Sequence, residues 1–137
     1  MAHPNIVNVS SIFAQSIGFN LSNTLTTTLF TVGDDRVLKL NNIIVTNVDG
    51  TNSADVDLFI TKAQQDTEDD QLEGAFTTNI DISGNFYIAK TITVPADSQL
   101  ILLDSPLYMC EGDILKGGAS ASGDLDLLVS YELINDA

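Results

Sequence analysis

Cysteine is almost missing from this sequence. Cys110 is the only one in 137 residues, so no disulfide can close within the chain and no cysteine-based metal site can be built. Stability has to come from packing. Histidine is equally scarce: His3 is the single copy and stands in an N-terminal stretch expected to be loosely held. A Ser-His-Asp or Cys-His arrangement would need it to fold back across the domain. Tryptophan is absent, which removes the ring best suited to stacking on a sugar. Bases number five, Arg36, Lys39, Lys62, Lys90 and Lys116, against 19 Asp and Glu, for a formal net charge of -14. Nucleic-acid binding relies on Lys and Arg that replace counterions along phosphates, and five scattered bases form no stripe. No apolar run approaches the roughly 20 residues that span a bilayer. The opening MAHPNIVNVSSIFAQ also lacks the basic segment and apolar core of a secretion signal. Nucleic acid and membrane are therefore not expected partners, and neither export nor an anchor is expected.

Hydrophobic residues make up 44% and charged residues 18% of the chain, a globular composition, and the length suits a single domain over residues 1–137. Its clearest pattern is period-two alternation near the C-terminus. Leu125, Leu127, Val129, Tyr131 and Leu133 interleave there with Asp124, Asp126, Leu128, Ser130 and Glu132, as in a strand with one wet face. FYIAKTITV, residues 86–94, alternates likewise, which predicts that Phe86, Ile88, Ile92 and Val94 share a face opposite Tyr87, Ala89, Thr91 and Thr93. VPAD predicts a turn with Pro95 at the position that wants a pre-set φ, and DSP and EGD punctuate the chain after LILL. RVLKLNNIIVTNV and ADVDLFITKA flank DGTNS, which reads as a hairpin connection. NIVNVSSIF reads as a first strand, and GFNLSNTLTTTLFTV is threonine-rich and β-prone. The sum is an all-β chain: a single antiparallel β-sandwich of about eight strands, jelly-roll-like.

One stretch breaks the rhythm. Residues 63–85, AQQDTEDDQLEGAFTTNIDISGN, hold six acids and no base and are expected to form a long exposed loop between two strands. Candidate sites are few. EGDILKGGASASGDLDLLVSY could pass for a phosphate loop, yet Lys116 precedes the glycines and an alternating strand follows them, where a phosphate loop needs a helix. The expected form is a hairpin: strand 113–121, a tight turn at Ser122-Gly123, strand 124–134. Gly117 and Gly118 then fall inside a strand and signal a bulge or the close approach of another backbone. Calcium could seek Asp49, Asp55, Asp66 or Asp70, but neither DTEDDQLE nor DGTNSADVD has the spacing of an EF-hand loop. Cys110 sits in LYMCEGD among acids, which should raise its pKa and dull it as a nucleophile. No catalytic, cofactor or metal residues are assigned, and no enzymatic activity is expected. Phe13, Phe19, Phe30, Phe59, Phe86, Tyr87, Tyr108 and Tyr131 are spread over the strands as core residues would be. Phe76, in the acidic stretch, is the aromatic that looks available as an anchor.

Three phrases, NVDGTNSADV, IAKTITVPADS and EGDILKGGASASGDLDLLVSYE, within residues 36–62 and 86–134, resemble small acidic β-rich virion proteins of tailed bacteriophages, especially those infecting marine bacteria and cyanobacteria. The resemblance implies a capsid decoration, or cement, protein made in the host cytoplasm. Such a protein is bound outside the head shell at junctions between major capsid subunits, often as a trimer. It brings no catalytic or metal residues. A tail or fibre-base component touching host receptors is the alternative within the particle. A calcium- or carbohydrate-binding β-sandwich module is the alternative outside it.

Overall fold

The computed structural model describes residues 9–62 and 84–135. Nine strands run through them: β1 (Ser11–Asn20), β2 (Thr28–Thr31), β3 (Arg36–Asn47), β4 (Ala54–Lys62), β5 (Gly84–Val94), β6 (Gln99–Leu103), β7 (Leu107–Met109), β8 (Ile114–Ala119) and β9 (Leu125–Asn135). No helix occurs among the described residues. The expected acidic loop lies outside them except for Gly84 and Asn85, as do His3 and Phe76. The first strand begins at Ser11 and takes up residues 18–20 of the threonine-rich segment. The ninth strand arises because Asp104-Ser105-Pro106 splits β7 from β6.

The strands form two antiparallel sheets. One has the order β1-β9-β3-β6, with β7 also paired to β3, and the other has the order β2-β8-β4-β5. Each strand pairs with its mirror image in chain order: β1 with β9, β2 with β8, β3 with β6 and β7, β4 with β5. The chain is one long hairpin whose arms meet at Lys62 and Gly84, wrapped so that successive pairs fall in opposite sheets. That winding is the jelly roll.

It also corrects two expectations. β3 and β4 do not pair across DGTNS, nor β8 and β9 across Ser122-Gly123, because the partners lie in different sheets. Both connections are arches from sheet to sheet. In the first, the Asn47 amide, 1% exposed, donates to the Asn52 and Val94 carbonyls at 2.9 Å each, and its Oδ1 accepts the Asp49 N–H at 2.9 Å. In the second, Gly123 has φ 87 and donates its N–H to the Leu21 carbonyl at 3.0 Å. VPAD is a third arch, between β5 and β6. The Ser98 N–H returns to the Pro95 carbonyl at 3.2 Å, so Pro95 opens the turn instead of holding its second position, and Asp97 takes the positive φ of 56. Asn47 is thus the polar pin of its arch. Replacing it with alanine strips the buried Val94 carbonyl and two partly buried groups of their partner, and we expect a loss of about 1–3 kcal/mol in urea unfolding. An unchanged midpoint would show that the arch stands without it.

Leu40, Ile43, Val45, Val56, Leu58, Val94, Met109, Leu115, Leu125, Leu127 and Val129 fill the space between the sheets. β9 follows its alternation: Leu125, Leu127 and Val129 are buried, and Asp126 and Leu128 face water. β5 does not. Its register against β4 shifts twice, between the pairs Val56↔Ile92 and Leu58↔Ala89 and again before Phe59↔Tyr87. Thr91 stands at φ 51, with its N–H held by Asp57 Oδ1 at 2.6 Å. Each extra residue flips the parity of the strand beyond it, so Ala89, between the two shifts, points inward against the expected alternation; Val94 is buried as expected, while Phe86 and Ile92, expected on the same face, are exposed.

Candidate interaction surface

The polar groups serve the fold. Asp49 uses its carboxylate to accept the Thr51 and Asn52 N–H groups and the Asn52 amide. These bonds, the Asn52 amide first, hold its pKa below the usual carboxylate value. Asp55 accepts the Thr93 hydroxyl at 2.7 Å. The two acids therefore work in separate places, and Asp66 and Asp70 lie outside the described residues. Among the described residues no three His, Cys, Asp or Glu side chains gather as a metal set would. Burial pushes the half-buried Cys110 thiol up, with the Asp113 and Glu111 charges adding and Lys62 opposing. The direction is the expected one, though its main cause is burial and not the acids.

Of the bases, Lys62 pairs with Asp113 at 2.6 Å and Lys39 approaches Glu132 at 4.0 Å. The Lys90 ammonium lies 4.2 Å from the centre of the Tyr87 ring, a cation–π contact. Among the described aromatics, only Phe59 is fully buried. Phe19, Phe30 and Tyr131 are half-buried and form a row with ring centres 6.2 and 6.4 Å apart. They sit where the sheets part, beside an apolar cleft of about 290 Å³ walled by Ile17, Phe30, Val32, Leu38, Tyr131 and Leu133. Phe13, Phe86, Tyr87 and Tyr108 are exposed. The buried cluster between the sheets is aliphatic, with Phe19, Phe30 and Tyr131 packed against it, so the expectation of core aromatics is corrected for Phe13, Phe86, Tyr87 and Tyr108. Among the described residues the available rings are these four.

Exposed apolar groups stand on both long outer strands, Phe86, Tyr87 and Ile92 on β5 and Ile12 and Phe13 on β1, and β1 differs in carrying no charge. β1, SIFAQSIGFN, has no charged residue and no proline, and all its residues except Ser11, Ile17 and Phe19 are exposed. Ile12 and Phe13 are 59% and 60% exposed. The ladders place Gly18, Leu128, Ile44 and Ile101 side by side across β1, β9, β3 and β6. Leu128 and Ile101 are exposed there. Gly18, lacking a side chain, opens a depression of about 460 Å³ shared with Asn20, Thr46, Asp126 and Leu128. On a chain of net charge -14, such an uncharged edge with an apolar row behind it fits a protein partner better than a small polar ligand. The sequence itself announces no such surface, because β1 straddles two predicted strands and its lack of charge is hidden by the division. Compared with known proteins, the chain matches no family model and no curated protein.

Proposed function

We propose that the chain is a structural protein of a tailed-bacteriophage virion, and that it serves as a decoration protein cementing the exterior of the head at junctions between major capsid subunits. The observation that carries this reading is the contrast within one surface: a strongly acidic jelly roll whose long outer strand β1 is uncharged over ten residues. The resemblance of residues 36–62 and 86–134 to virion proteins supplies the setting. Acids suit the outside of a shell, away from packaged DNA, and like charge keeps particles apart. A free strand edge supplies backbone hydrogen bonds across a subunit boundary. The protein acts by binding and not by catalysis, with the major capsid protein as partner and three copies to a unit. Binding only to the assembled lattice, it would stabilise that lattice by its own free energy of association.

Copy number tests the proposal. Quantitative mass spectrometry of purified particles is expected to find hundreds of copies per virion. Six or twelve would overturn the head assignment and favour a tail or fibre-base component, and absence from the particle would overturn both.

A further inference from the structure

We infer that β1 is a self-association edge, pairing antiparallel with β1 of a second copy about a two-fold axis through Gln15. The inference rests on the strand alone and does not depend on where in a particle the protein sits.

β1 is the outer strand of its sheet, so one side of its backbone has no ladder among the described residues. The register decides which groups face that side. Leu21 donates its N–H to the Leu125 carbonyl, continuing the β1–β9 ladder that pairs Asn20 with Asp126. Hydrogen-bonded pairs alternate with open ones in an antiparallel ladder. The odd-numbered residues therefore bond to β9, and Ile12, Ala14, Ser16, Gly18 and Asn20 aim their N–H and C=O groups at the open edge.

Proteins usually block such an edge by shortness, charge, proline or a bulge. The other outer strands carry these devices. β2 has four residues. β6 is cut from β7 by Asp104-Ser105-Pro106. β5 carries Lys90, two register shifts and a positive φ at Thr91. β1 carries none of them: ten residues pair with β9 without a register shift, and none is charged.

A second copy fits this edge for two reasons. The first is charge. Two chains of net charge -14 repel, and β1 is a strand where they can meet without placing carboxylates opposite one another. The second is shape. To keep core faces on the same side of a joined sheet, an antiparallel pair must match odd with odd and even with even. The axis through Gln15 does so, and it sets Ile12 opposite Gly18 and Phe13 opposite Ile17. The exposed Ile12 side chain then meets the depression left by Gly18 beside Leu128. The exposed Phe13 ring meets Ile17, a wall of the cleft between the sheets. β5 of another copy, with its two bulges, has no equally straight run to offer. The two-fold pair leaves every other edge free, so it is compatible with a threefold unit built elsewhere on the surface.

Sedimentation velocity on the full chain, from micromolar to near-millimolar concentration, is expected to show a monomer–dimer equilibrium. Gln15→Glu, at an exposed position, places two carboxylates face to face on the axis and should weaken the dimer by about tenfold or more. Its circular dichroism spectrum and melting temperature should stay at wild-type values. In a Cys110→Ser background, Gln15→Cys should oxidise readily to a covalent dimer, since residues on the axis have Cα atoms within about 4.5–5.5 Å. Ile12→Cys, about 20 Å from its counterpart in this register, should not. A chain that stays monomeric at every concentration would overturn the inference. So would equal crosslinking of the two cysteine variants, or a Gln15→Glu dimer as tight as wild type.

Discussion

Gly118→Ala is expected to cost the chain a large part of its stability. β8 lies between β2 and β4, and its two glycines are the points where neighbouring backbones close in. A Cβ on Gly118 would fall 2.5 Å from the Thr24 carbonyl oxygen and 2.9 Å from Leu25 Cα. On Gly117 it would fall 2.3 Å from the Asp57 carbonyl oxygen and 3.2 Å from Leu58 Cα. These are backbone atoms, which cannot turn aside as a side-chain tip would. Asp57 and Leu58 are fixed in the β4–β8 ladder, and residues flanking Thr24 are tied to β8 by the Ser22 carbonyl accepting the Ala119 N–H and the Thr27 carbonyl accepting the Gly117 N–H. Relief requires one strand to move, so the cost should exceed the usual overpacking range, at about 3 kcal/mol or more out of a total of roughly 5–15 kcal/mol. Gly18→Ala is the control. Its new Cβ would approach nothing closer than the Leu127 carbonyl at 3.9 Å, and adding a methyl group in a strand should be neutral or slightly stabilising. Urea unfolding should separate the two by a wide margin. Similar midpoints would show that the close approach in β8 is easily relaxed.

The two glycines show what was legible in the sequence. A Gly-Gly pair inside an alternating run has few purposes, and close backbone approach is one of them. The strands were legible for the same reason. Leu125, Leu127 and Val129 alternate with polar neighbours because one face of β9 is the core. Pairing was not legible in this way. DGTNS and Ser122-Gly123 carry genuine turn chemistry, but turn residues state only that the chain reverses. Whether the next strand bonds to the last one or arches to the other sheet is settled far away. β8 is captured by β2 and β4, about 60 to 90 residues earlier in the chain, before β9 could claim it. The bulges of β5 were hidden likewise. FYIAKTITV alternates on paper except at Lys90, and it takes the Asp57 carboxylate on a neighbouring strand to hold the Thr91 N–H.

The candidate surface was the least legible part. Phe13 and Tyr108 look like core residues when each strand is read alone, since an aromatic ring in an alternating strand usually points inward. They are exposed because the jelly roll fills its interior with Leu, Ile and Val from the long central strands. Phe13 lies on the outermost strand, and Tyr108 sits beside Lys39 on the outer face. The acidic composition, by contrast, is legible from the start. It disfavours polyanions as partners and leaves uncharged strands as the places where another protein can approach.

Lys62→Met should be the most damaging single change among the charged residues. Asp113 is 1% exposed, and its Oδ2 receives the Lys62 ammonium at 2.6 Å and the Cys110 N–H at 2.9 Å. Its Oδ1 is buried with no hydrogen bond among the described residues. The carboxylate is therefore under-supplied even with the lysine in place. The pair also has a position of consequence: Lys62 ends β4, where the long hairpin's arms meet, and Asp113 precedes β8 with its carbonyl accepting the Val32 N–H. Removing the ammonium leaves a buried negative charge with one backbone donor, a loss of about 3–5 kcal/mol. Asp113→Asn should cost less, about 1–3 kcal/mol. The Lys62 side chain is 23% exposed and can turn its charge to water, whereas Asp113 cannot. The double change Lys62→Met with Asp113→Leu removes both charges, so it should recover more than half of the Lys62→Met loss and make the pair markedly non-additive. Because the pair is shielded, salt should alter these differences little. Denaturant unfolding of the three variants is the measurement. A cost for Asp113→Asn equal to or above that for Lys62→Met would show that the carboxylate reaches water and that the lysine is not what holds it in the sandwich.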